Sequence, residues 1–334
     1  MKPQVSPDVT DLEVNPDEPL SKKPIRHRQW GGAVVGLLLG VLALLLGRAG
    51  QLWPAFDVAA QFGAQALCLV AGFSIAAFFP RFKALIGIVL SMSLILAYGA
   101  WPLLVSQKLN TGPFDLKSGE RAVRLMQFNT WERNRDFAAT VAEIQRLNPD
   151  VVALEEFDPG KREVLFRLRI DYPYQYACHE LPECHIAILS RFPILATAAD
   201  SGFYGLPFAS VKLGGELTGY TVVSTHTTRF PHSRAQLAQA NALVKHLEKE
   251  TDRLIVMGDF NATPFSRIPG FIQTGTGLNR LTSLPSWPTW SGVPQLAIDH
   301  VFVSPEIRQL AAEQIGNAAG SDHFPVLVTI AVPH

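Results

Sequence analysis

The chain has 334 residues, with 29 basic and 29 acidic side chains and therefore no net formal charge, and 48% of its residues are apolar. This composition excludes a disordered chain and suits a globular protein that carries a membrane segment. The apolar residues are unevenly distributed along the chain. Between residues 30 and 105 the charged residues are Arg48, Asp57, Arg81 and Lys83.

The first 29 residues are polar, contain several prolines and show no apolar periodicity, which predicts a disordered tail. Three apolar segments follow, at residues 31–47, 58–79 and 84–105. A helix of about 20 apolar residues crosses a bilayer core, so all three are predicted to be transmembrane helices. The second segment also permits a buried helix of a soluble domain, because Gln61 and Gln65 lie one helical turn apart. The apolar segments on either side of it favour the membrane interpretation.

The positive charges predict the orientation of these helices. Lys22, Lys23, Arg26 and Arg28 directly precede the first segment, and Arg81 and Lys83 separate the second from the third, whereas the first connecting loop contains Arg48 alone. The amino-terminal tail is therefore expected in the cytoplasm, with the helices in the inner membrane. Three crossings place everything after Val105 on the outer, periplasmic side, whereas two crossings would place it in the cytoplasm.

Cysteine spacing bears on the same question of compartment. Cys178 and Cys184 lie close together in the stretch CHELPEC, and in an oxidising compartment they are expected to form a disulfide. A metal site is the alternative, because His179 and His185 adjoin the two cysteines. The disulfide is favoured, since zinc ligands usually recur as pairs separated by a longer spacer. Two free thiols on a surface loop are the third interpretation.

After a linker over residues 106–120, residues 121–334 alternate strand-like apolar runs with helical patterns, as at Phe137, Val141, Ile144 and Leu147. This mixture predicts an α/β or α+β domain with helices covering a sheet. The predicted strands begin or end on polar residues, namely Asn129, Glu156, His226, Asp259, Asn261, Asp299, Asp322 and His323. Such residues at one rim of a sheet are typical of an enzyme active site.

The motifs FNTW, ALEEF, STHT, GDFNATP, IDHVF and GSDHFP occur in an order and spacing that resemble the endonuclease/exonuclease/phosphatase superfamily. This superfamily includes pancreatic-type deoxyribonucleases, abasic-site endonucleases, neutral sphingomyelinases and inositol-polyphosphate 5-phosphatases. The resemblance covers residues 121–332. It implies a four-layered α/β sandwich of two packed sheets flanked by helices, and metal-dependent hydrolysis of phosphoric esters. The three apolar segments fall outside it and are similar to those of membrane-attached bacterial members.

The resemblance also implies a metal site. Glu156 matches the residue that holds a Mg²⁺ or Mn²⁺ ion, with Asn129 beside it, and Asp322 is a second possible ligand. Carboxylate and amide oxygens suit such hard cations. Family members usually have glutamine where this chain has Glu155, which is interpreted as a solvated or helix-capping carboxylate.

The catalytic groups follow from the same resemblance. Asp259 matches the acid that activates the attacking water, and Asn261 matches the amide that fixes the phosphate. A gap of one residue on a strand would put both side chains on one face. His323 is expected to donate to a phosphoryl oxygen, with its imidazole oriented and made more basic by Asp299. His226 matches a histidine of the deoxyribonuclease and sphingomyelinase branches that contacts phosphate or assists the leaving group.

Other polar and aromatic residues permit two interpretations each. Arg229 and Arg234 would either reach a phosphate or lie on a solvated helix face. The aromatic stretch SWPTW, residues 286–290, would line the substrate cleft or pack at the sheet edge. The remaining histidines are interpreted as surface or core residues, namely His232, His246 and His300.

The substrate is the least determined feature. After Val105 the chain has 21 basic and 23 acidic residues, which weakens the case for a long nucleic acid. The short linker is expected to hold the domain near the bilayer, which favours a lipid headgroup or another small phosphoester. A membrane-held nuclease is the second hypothesis. A binding module without activity is the third, and the complete residue set disfavours it. No protein partner is inferred.

Overall fold

In the computed structural model, the described residues are 26–78, 115–201, 206–292 and 295–333. The predicted third apolar segment, at residues 84–105, and most of the predicted linker lie outside them. The predicted tail extends to residue 29, but the first helix already begins at Arg26. The sandwich begins at Glu120, one residue before the predicted boundary.

The described part of the chain contains thirteen β-strands in two mixed sheets. In chain order they are β1 (Glu120–Asn129), β2 (Val151–Glu155), β3 (Tyr174–Ala177), β4 (Ile186–Ser190), β5 (Ile194–Asp200), β6 (Phe208–Leu213), β7 (Tyr220–His226), β8 (Arg253–Asp259), β9 (Asn279–Arg280), β10 (Asp299–Val303), β11 (Arg308–Gln309), β12 (Gln314–Ile315) and β13 (Val326–Pro333). The first sheet has the order β11-β13-β1-β2-β4-β3, with β12 also on β13, and the second has the order β5-β6-β7-β8-β10-β9.

Seven α-helices accompany the sheets over the same described residues. They are α1 (Arg26–Ala49), α2 (Asp57–Ala60), α3 (Gly63–Phe78), α4 (Phe137–Leu147), α5 (Arg162–Leu168), α6 (Ser233–Leu247) and α7 (Arg267–Thr276). Short 3-10 turns occupy Pro54–Phe56, Pro159–Lys161 and Gly215–Leu217.

The central strands bury both of their faces, which produces a layered structure. Along β1, Val123 and Leu125 face the core between the two sheets, while Met126 and Phe128 face the core beneath α4 and α5. This follows from the alternation of side chains along a strand. A third apolar cluster packs α6 and α7 on the second sheet. The order helices, sheet, sheet, helices is the four-layered α/β sandwich that the sequence predicts.

Helix α4 forms where the helical spacing predicts it. Asp136 caps its first turn by accepting a hydrogen bond from the Ala139 backbone N–H at 2.9 Å. Val141, Ile144 and Leu147 are buried against the first sheet. The helix ends where Asn148 adopts the left-handed conformation.

The amino-terminal apolar segments differ from the prediction of straight spans. The second segment is broken between α2 and α3, and over the described residues no single helix is long and apolar enough to cross a bilayer. The pair Pro54–Ala60 and Gly63–Gly72, bent by 54°, has sufficient length and apolar composition, and Val35–Ala49 is a shorter apolar helix. The break coincides with Gln61, whose buried side chain accepts a hydrogen bond from the backbone N–H of Thr263 in the sandwich.

Candidate active site

A cleft of about 870 Å³ opens at one rim of the sandwich. Six residues that the sequence singles out line it, namely Glu156, His226, Asp259, Asn261, Asp322 and His323. Sheet register explains why they meet. His226 lies opposite Asp259 on the parallel pair β7 and β8, and Asp259 lies opposite Asp299 on the antiparallel pair β8 and β10. In the first sheet Asn129 lies opposite Glu155, so both sheets deliver polar ends to the same rim.

His323 and Asp299 form a buried pair. His323 Nδ1 lies 2.8 Å from Asp299 Oδ2, and both side chains are almost completely buried. Asp299 is held by two further donors, since Gln127 Nε2 donates to Oδ1 at 2.7 Å and the Ser286 hydroxyl donates to Oδ2. Burial lowers the pKa of His323, but the carboxylates of Asp299 and Asp259 outweigh it and raise that pKa to about 10. The imidazole is therefore a cation at neutral pH, with Nε2–H directed away from Asp299.

Asp259 lies at the centre of the site. Its Oδ2 accepts a hydrogen bond from Asn129 Nδ2 at 3.0 Å and lies 3.6 Å from His323 Nε2 and 3.5 Å from His226 Nε2. Burial raises the pKa of Asp259, and the charge of His323 opposes that rise. Desolvation makes this carboxylate a better proton acceptor than one in water, which suits it to activate a water molecule.

Asn261 reaches the site by a different route from the one predicted. Strand β8 ends at Asp259, and Asn261 follows in the left-handed region with φ 47°. Its backbone N–H donates to Asp259 Oδ1 at 2.8 Å, and its side-chain Nδ2 donates to Thr227 O at 3.0 Å and lies 3.2 Å from His226 Nε2. A tight turn, and not the pleat of a strand, therefore brings the two side chains together.

Glu156 also belongs to this cluster. It directly follows β2, has a positive φ of 49°, and its Oε1 accepts a hydrogen bond from the same Asn129 Nδ2 that bonds Asp259, at 3.1 Å. Its Oε2 accepts from the Glu132 backbone N–H at 2.7 Å. The carboxylates of Glu156 and Asp259 are therefore separated only by the amide group of Asn129. This separation is short enough for one ion and its phosphate ligand to occupy the space between the two residues.

Of the three residues expected to hold a metal, Glu156 and Asp322 fit that role. Asn129 does not, because its Nδ2 donates to Glu156 and Asp259 and its Oδ1 accepts from the Trp131 backbone N–H at 2.9 Å. Asp322 Oδ2 accepts from Trp287 Nε1 at 3.3 Å, but Asp322 Oδ1 is buried and, among the described residues, has no hydrogen-bond partner. Burial raises the pKa of Asp322, and the negative charge of Glu156 contributes to the rise. An unpartnered carboxylate oxygen beside a second carboxylate is the arrangement that a hard divalent cation stabilises.

A second group of possible metal ligands overlaps the histidine pair. Ligand atoms of Asp259, Asp299 and His323 lie within 4.8 Å of one another. Two of these residues already form the hydrogen bond between His323 Nδ1 and Asp299 Oδ2. The cleft therefore offers two candidate metal groups, this one and the carboxylates of Glu156 and Asp322.

Glu155 was interpreted from the sequence as a solvated or capping carboxylate, and that interpretation is wrong. Its side chain is fully buried, where Oε1 accepts from the Ser224 hydroxyl at 2.6 Å and Oε2 from Gln127 Nε2 at 2.8 Å. Burial is the main cause that raises its pKa to about 8. Because Gln127 also donates to Asp299, Glu155 belongs to the buried network behind the His323 pair.

Lys161 is a residue that sequence reasoning missed. Its ammonium group is buried and donates to Thr130 O at 3.3 Å, Thr130 Oγ1 at 2.9 Å, Trp131 O at 2.6 Å and Glu156 O at 2.7 Å. It thereby joins the loops that carry Asn129 and Glu156. The lysine follows Pro159 and Gly160 in a polar loop, and nothing in that local pattern distinguishes it from a solvated lysine.

The structure also decides between the paired interpretations. Trp287 of the SWPTW stretch lines the cleft, as does Arg229, whereas Arg234 does not line it. His300 is a core residue that bonds Ala262 O at 2.8 Å. Trp131, from the FNTW motif, lines the cleft as well.

Cys178 and Cys184 are joined in a disulfide, as expected from their spacing, and Cys68 is free and exposed. The bridge closes a short loop that contains Glu183, and Glu183 and the residue after the bridge, His185, both border the cleft. His179 takes part in no metal group among the described residues, and instead bonds Phe157 O at 2.8 Å.

Solved structures share this fold at low sequence identity. An endonuclease/exonuclease/phosphatase family protein from Bacteroides thetaiotaomicron aligns with a TM-score of 0.54 and 15% identity, covering 64% of this chain and 99% of that one. D. rerio TDP2, in a form humanized by 14 mutations, aligns with a TM-score of 0.52 and 13% identity, covering 63% and 98%. The same D. rerio protein in complex with a single-strand DNA product aligns equally well, with a TM-score of 0.52 and 13% identity.

No curated protein sequence matches the chain. The family model of the endonuclease/exonuclease/phosphatase family matches residues 126–323, more than half of the chain, and this span contains the whole cluster described above. The chain belongs to the endonuclease/exonuclease/phosphatase family.

Proposed function

We propose that the protein is a membrane-anchored, divalent-metal-dependent phosphoesterase that hydrolyses a phosphodiester or phosphomonoester with an activated water. The observation that carries this proposal is the convergence of Glu156, Asp259 and His323 in one cleft. Asn129 Nδ2 bonds both carboxylates, and His323 Nε2 lies 3.6 Å from Asp259. Membership of a family of hydrolytic phosphoesterases supports the same reaction class.

Each side chain has a distinct task in this reaction. Asp259 accepts a proton from water as the water oxygen bonds phosphorus, and the bond to the leaving oxygen breaks. His323 donates from Nε2 to a phosphoryl oxygen, because its Nδ1–H is held by Asp299. Asn261 fixes the phosphate beside Asp259. His226 borders the cleft next to Asp259 and supplies the proton that the leaving oxygen takes up.

Glu156 and Asp322 would hold a Mg²⁺ or Mn²⁺ ion, with the Asn129 amide orienting Glu156. When bound, such an ion neutralises charge on the phosphoryl oxygens. Asp322 Oδ1, which is buried and has no hydrogen-bond partner among the described residues, supports this assignment.

The test of the reaction uses the full chain in detergent, with bis-p-nitrophenyl phosphate and Mg²⁺ or Mn²⁺. Loss of a proton acceptor or of a cationic donor costs roughly 100-fold to 10,000-fold in rate, so Asp259→Asn and His323→Ala should each lower kcat by about that much. His232→Ala, at an exposed histidine outside the cleft, is the matched control. EDTA should abolish turnover, and added Mg²⁺ or Mn²⁺ should restore it. Unchanged turnover in both site variants would refute the mechanism.

The apolar surface of the amino-terminal helices supports the anchor. Leu38, Leu42 and Leu45 on α1 and Leu69 on α3 are each about half exposed or more, and the turn between the helices exposes Trp53. An exposed apolar surface of this kind suits a lipid environment, with tryptophan at the interface.

Contacts of the turn support an outward catalytic domain. The turn that joins α1 to α2 touches the sandwich, where Arg267 Nη1 donates to Gly50 O at 3.4 Å. This contact supports a topology in which the turn and the catalytic domain share one side of the bilayer. The positive charges favour an outward position for that turn, so we propose an odd number of crossings and a periplasmic catalytic domain.

A phosphoester at the bilayer surface is the favoured substrate class. Phe62, which follows α2, packs edge-to-face against Phe230 with ring centroids 5.9 Å apart. Phe230 is next to Arg229, a cation of the cleft wall. The cleft rim thus adjoins the apolar segment, which is the geometry that a lipid headgroup requires.

A membrane-held nuclease is the second candidate, favoured by the family and by the DNA-bound structure of D. rerio TDP2. Assays with phospholipid vesicles, sphingomyelin, inositol phosphates and single-stranded DNA, with and without EDTA, separate the candidates. Faster turnover of DNA than of any lipid would favour the nuclease. No turnover across the panel, with metal binding intact, would favour a binding module without activity.

A further inference from the structure

The loop that carries Asp259 and Asn261 is held at its far end by the amino-terminal apolar segment. The loop runs from Asp259 to Arg267, the first residue of α7. At its near end Asp259 and Asn261 face the cleft. At its far end Thr263, Ser266 and Arg267 contact residues that lie about 200 positions earlier in the chain.

Gln61 is the first of these contacts. Its side chain is 1% exposed, and its Oε1 accepts a hydrogen bond from the Thr263 backbone N–H at 2.7 Å. The Thr263 hydroxyl donates in addition to Ala60 O at 3.3 Å. Thr263 is itself buried, so without Gln61 its N–H would be a buried donor without this acceptor, which is energetically costly.

Asp57 is the second contact. Its side chain is fully buried, with Oδ1 accepting from the Arg267 backbone N–H at 2.8 Å and Oδ2 from the Ser266 hydroxyl at 2.6 Å. Ser266 is the N-cap of α7, so Asp57, from a distant part of the chain, contributes a second capping group to the same helix terminus. An anion at a helix amino terminus satisfies free N–H groups and the helix dipole together.

The two segments also approach each other too closely for larger side chains. A Cβ at Gly63 would lie 2.5 Å from the ring of Phe265, in the middle of the same loop. The apolar segment is therefore fitted to the loop by shape as well as by hydrogen bonds.

We propose that Asp57 and Gln61 are positioning residues of the active site: they hold the loop from Asp259 to Arg267 so that Asn261 and Asp259 keep their places in the cleft. The membrane segment is thereby a structural part of the catalytic site and not only a tether. This inference rests on the proposed phosphoesterase function.

The chain contains a matched control for this proposal. Gln65, one turn further along, bonds Gln295 O at 3.1 Å through Nε2, and Gln295 is not part of the loop. Gln61→Ala and Gln65→Ala each remove one glutamine contact between the apolar segment and the sandwich, and only the first contact reaches the loop.

The experiment compares these variants as full chains in lipid nanodiscs. Gln61→Ala and Asp57→Ala should lower kcat for bis-p-nitrophenyl phosphate about tenfold with KM changed less than twofold, while Gln65→Ala retains wild-type kcat. Asp57→Asn keeps an oxygen for the Arg267 N–H and should recover most of the rate. Amide hydrogen exchange gives a readout without turnover: Thr263 should exchange at least tenfold faster in Gln61→Ala than in Gln65→Ala.

The possible outcomes separate this inference from the proposed function. An inactive wild-type protein would refute the phosphoesterase, and the exchange of Thr263 would still test the contact. An active wild-type protein with equal kcat and equal Thr263 exchange in Gln61→Ala and Gln65→Ala would overturn the positioning role alone.

Discussion

The carboxyl group of Glu155 is buried behind the pair formed by His323 and Asp299. Its hydrogen-bond donors are the side chains of Ser224 and Gln127, which carry no positive charge that would stabilise a carboxylate. Its pKa of about 8 lies above the ordinary value of 4.5. Below pH 4.5 the group is protonated in both the folded and the unfolded chain. Between pH 4.5 and 8 the unfolded chain loses this proton while the folded chain keeps it, so the contribution of Glu155 to stability falls as pH rises.

Glu155→Gln should remove that loss. The difference in unfolding free energy between the variant and the wild type should grow from near zero at pH 4.5 to about 4 kcal/mol at pH 8, since each unit of pKa difference corresponds to about 1.4 kcal/mol. Urea unfolding of the full chain in detergent at several pH values measures it. Glu180→Gln, at an exposed site, is the control. A difference that does not change with pH would contradict the buried, protonated state.

Lys161 gives a second prediction at the scale of a residue. Lys161→Met leaves the carbonyl groups of Trp131 and Glu156 without their buried donor and should lower the unfolding free energy by about 3 kcal/mol. The loops that carry Asn129 and Glu156 should then shift, so a higher Mg²⁺ concentration should be needed for half-maximal activity. Arg162→Met, at the exposed neighbour, should change neither quantity.

At the scale of the element, the site depends on loops that are fixed from several sides. The disulfide between Cys178 and Cys184 fixes the loop that ends beside β4, and Glu183 and His185 from that stretch border the cleft. The reacting groups lie on other elements, at the ends of β7 and β8. Loss of the disulfide should therefore affect stability and substrate binding more than the chemical step.

Replacing both Cys178 and Cys184 by alanine should lower the unfolding free energy by about 2 kcal/mol, the loop-closure value for a ring this short. KM should rise while kcat stays within a factor of two. Wild-type protein in reductant should approach the stability of the variant, and Cys68→Ala should have no effect. Equal falls in kcat and kcat/KM, with KM unchanged, would show instead that the bridge acts on the reacting groups.

At the scale of the whole molecule, the contact between the apolar helices and the sandwich restricts the topology. The buried bonds of Asp57 and Gln61 place the first turn beside the catalytic loop, so both lie on one side of any bilayer that the helices cross. The amino-terminal helices and the sandwich are thus joined by buried hydrogen bonds as well as by the chain.

Topology is tested by labelling single cysteines from outside the cell. In a Cys68→Ala background, Leu52→Cys in the turn and Arg133→Cys at the cleft should both react with a membrane-impermeant maleimide, since both positions are exposed. A carboxyl-terminal alkaline phosphatase fusion should be active. Reaction at only one of the two cysteines would contradict the shared side, and an inactive fusion with no reaction at either would place the domain in the cytoplasm.

The sequence by itself determined an α/β domain with polar residues at its strand ends, because apolar runs stop at those residues. The resemblance of FNTW, GDFNATP and GSDHFP to one family implied the sandwich and the roles of Asn129, Asp259 and His323. The pairing of Cys178 with Cys184 was favoured by their short separation.

Tertiary structure alone decided which of these groups touch and what supports them. Glu155 and Lys161 have ordinary sequence surroundings, and only the packing of two sheets and their loops buries them. Likewise Gln61 belongs to an apolar segment by composition, yet its side chain bonds Thr263 about 200 residues later. Such contacts join segments that are distant along the chain, and local periodicity contains no information about a partner that folding brings close from elsewhere.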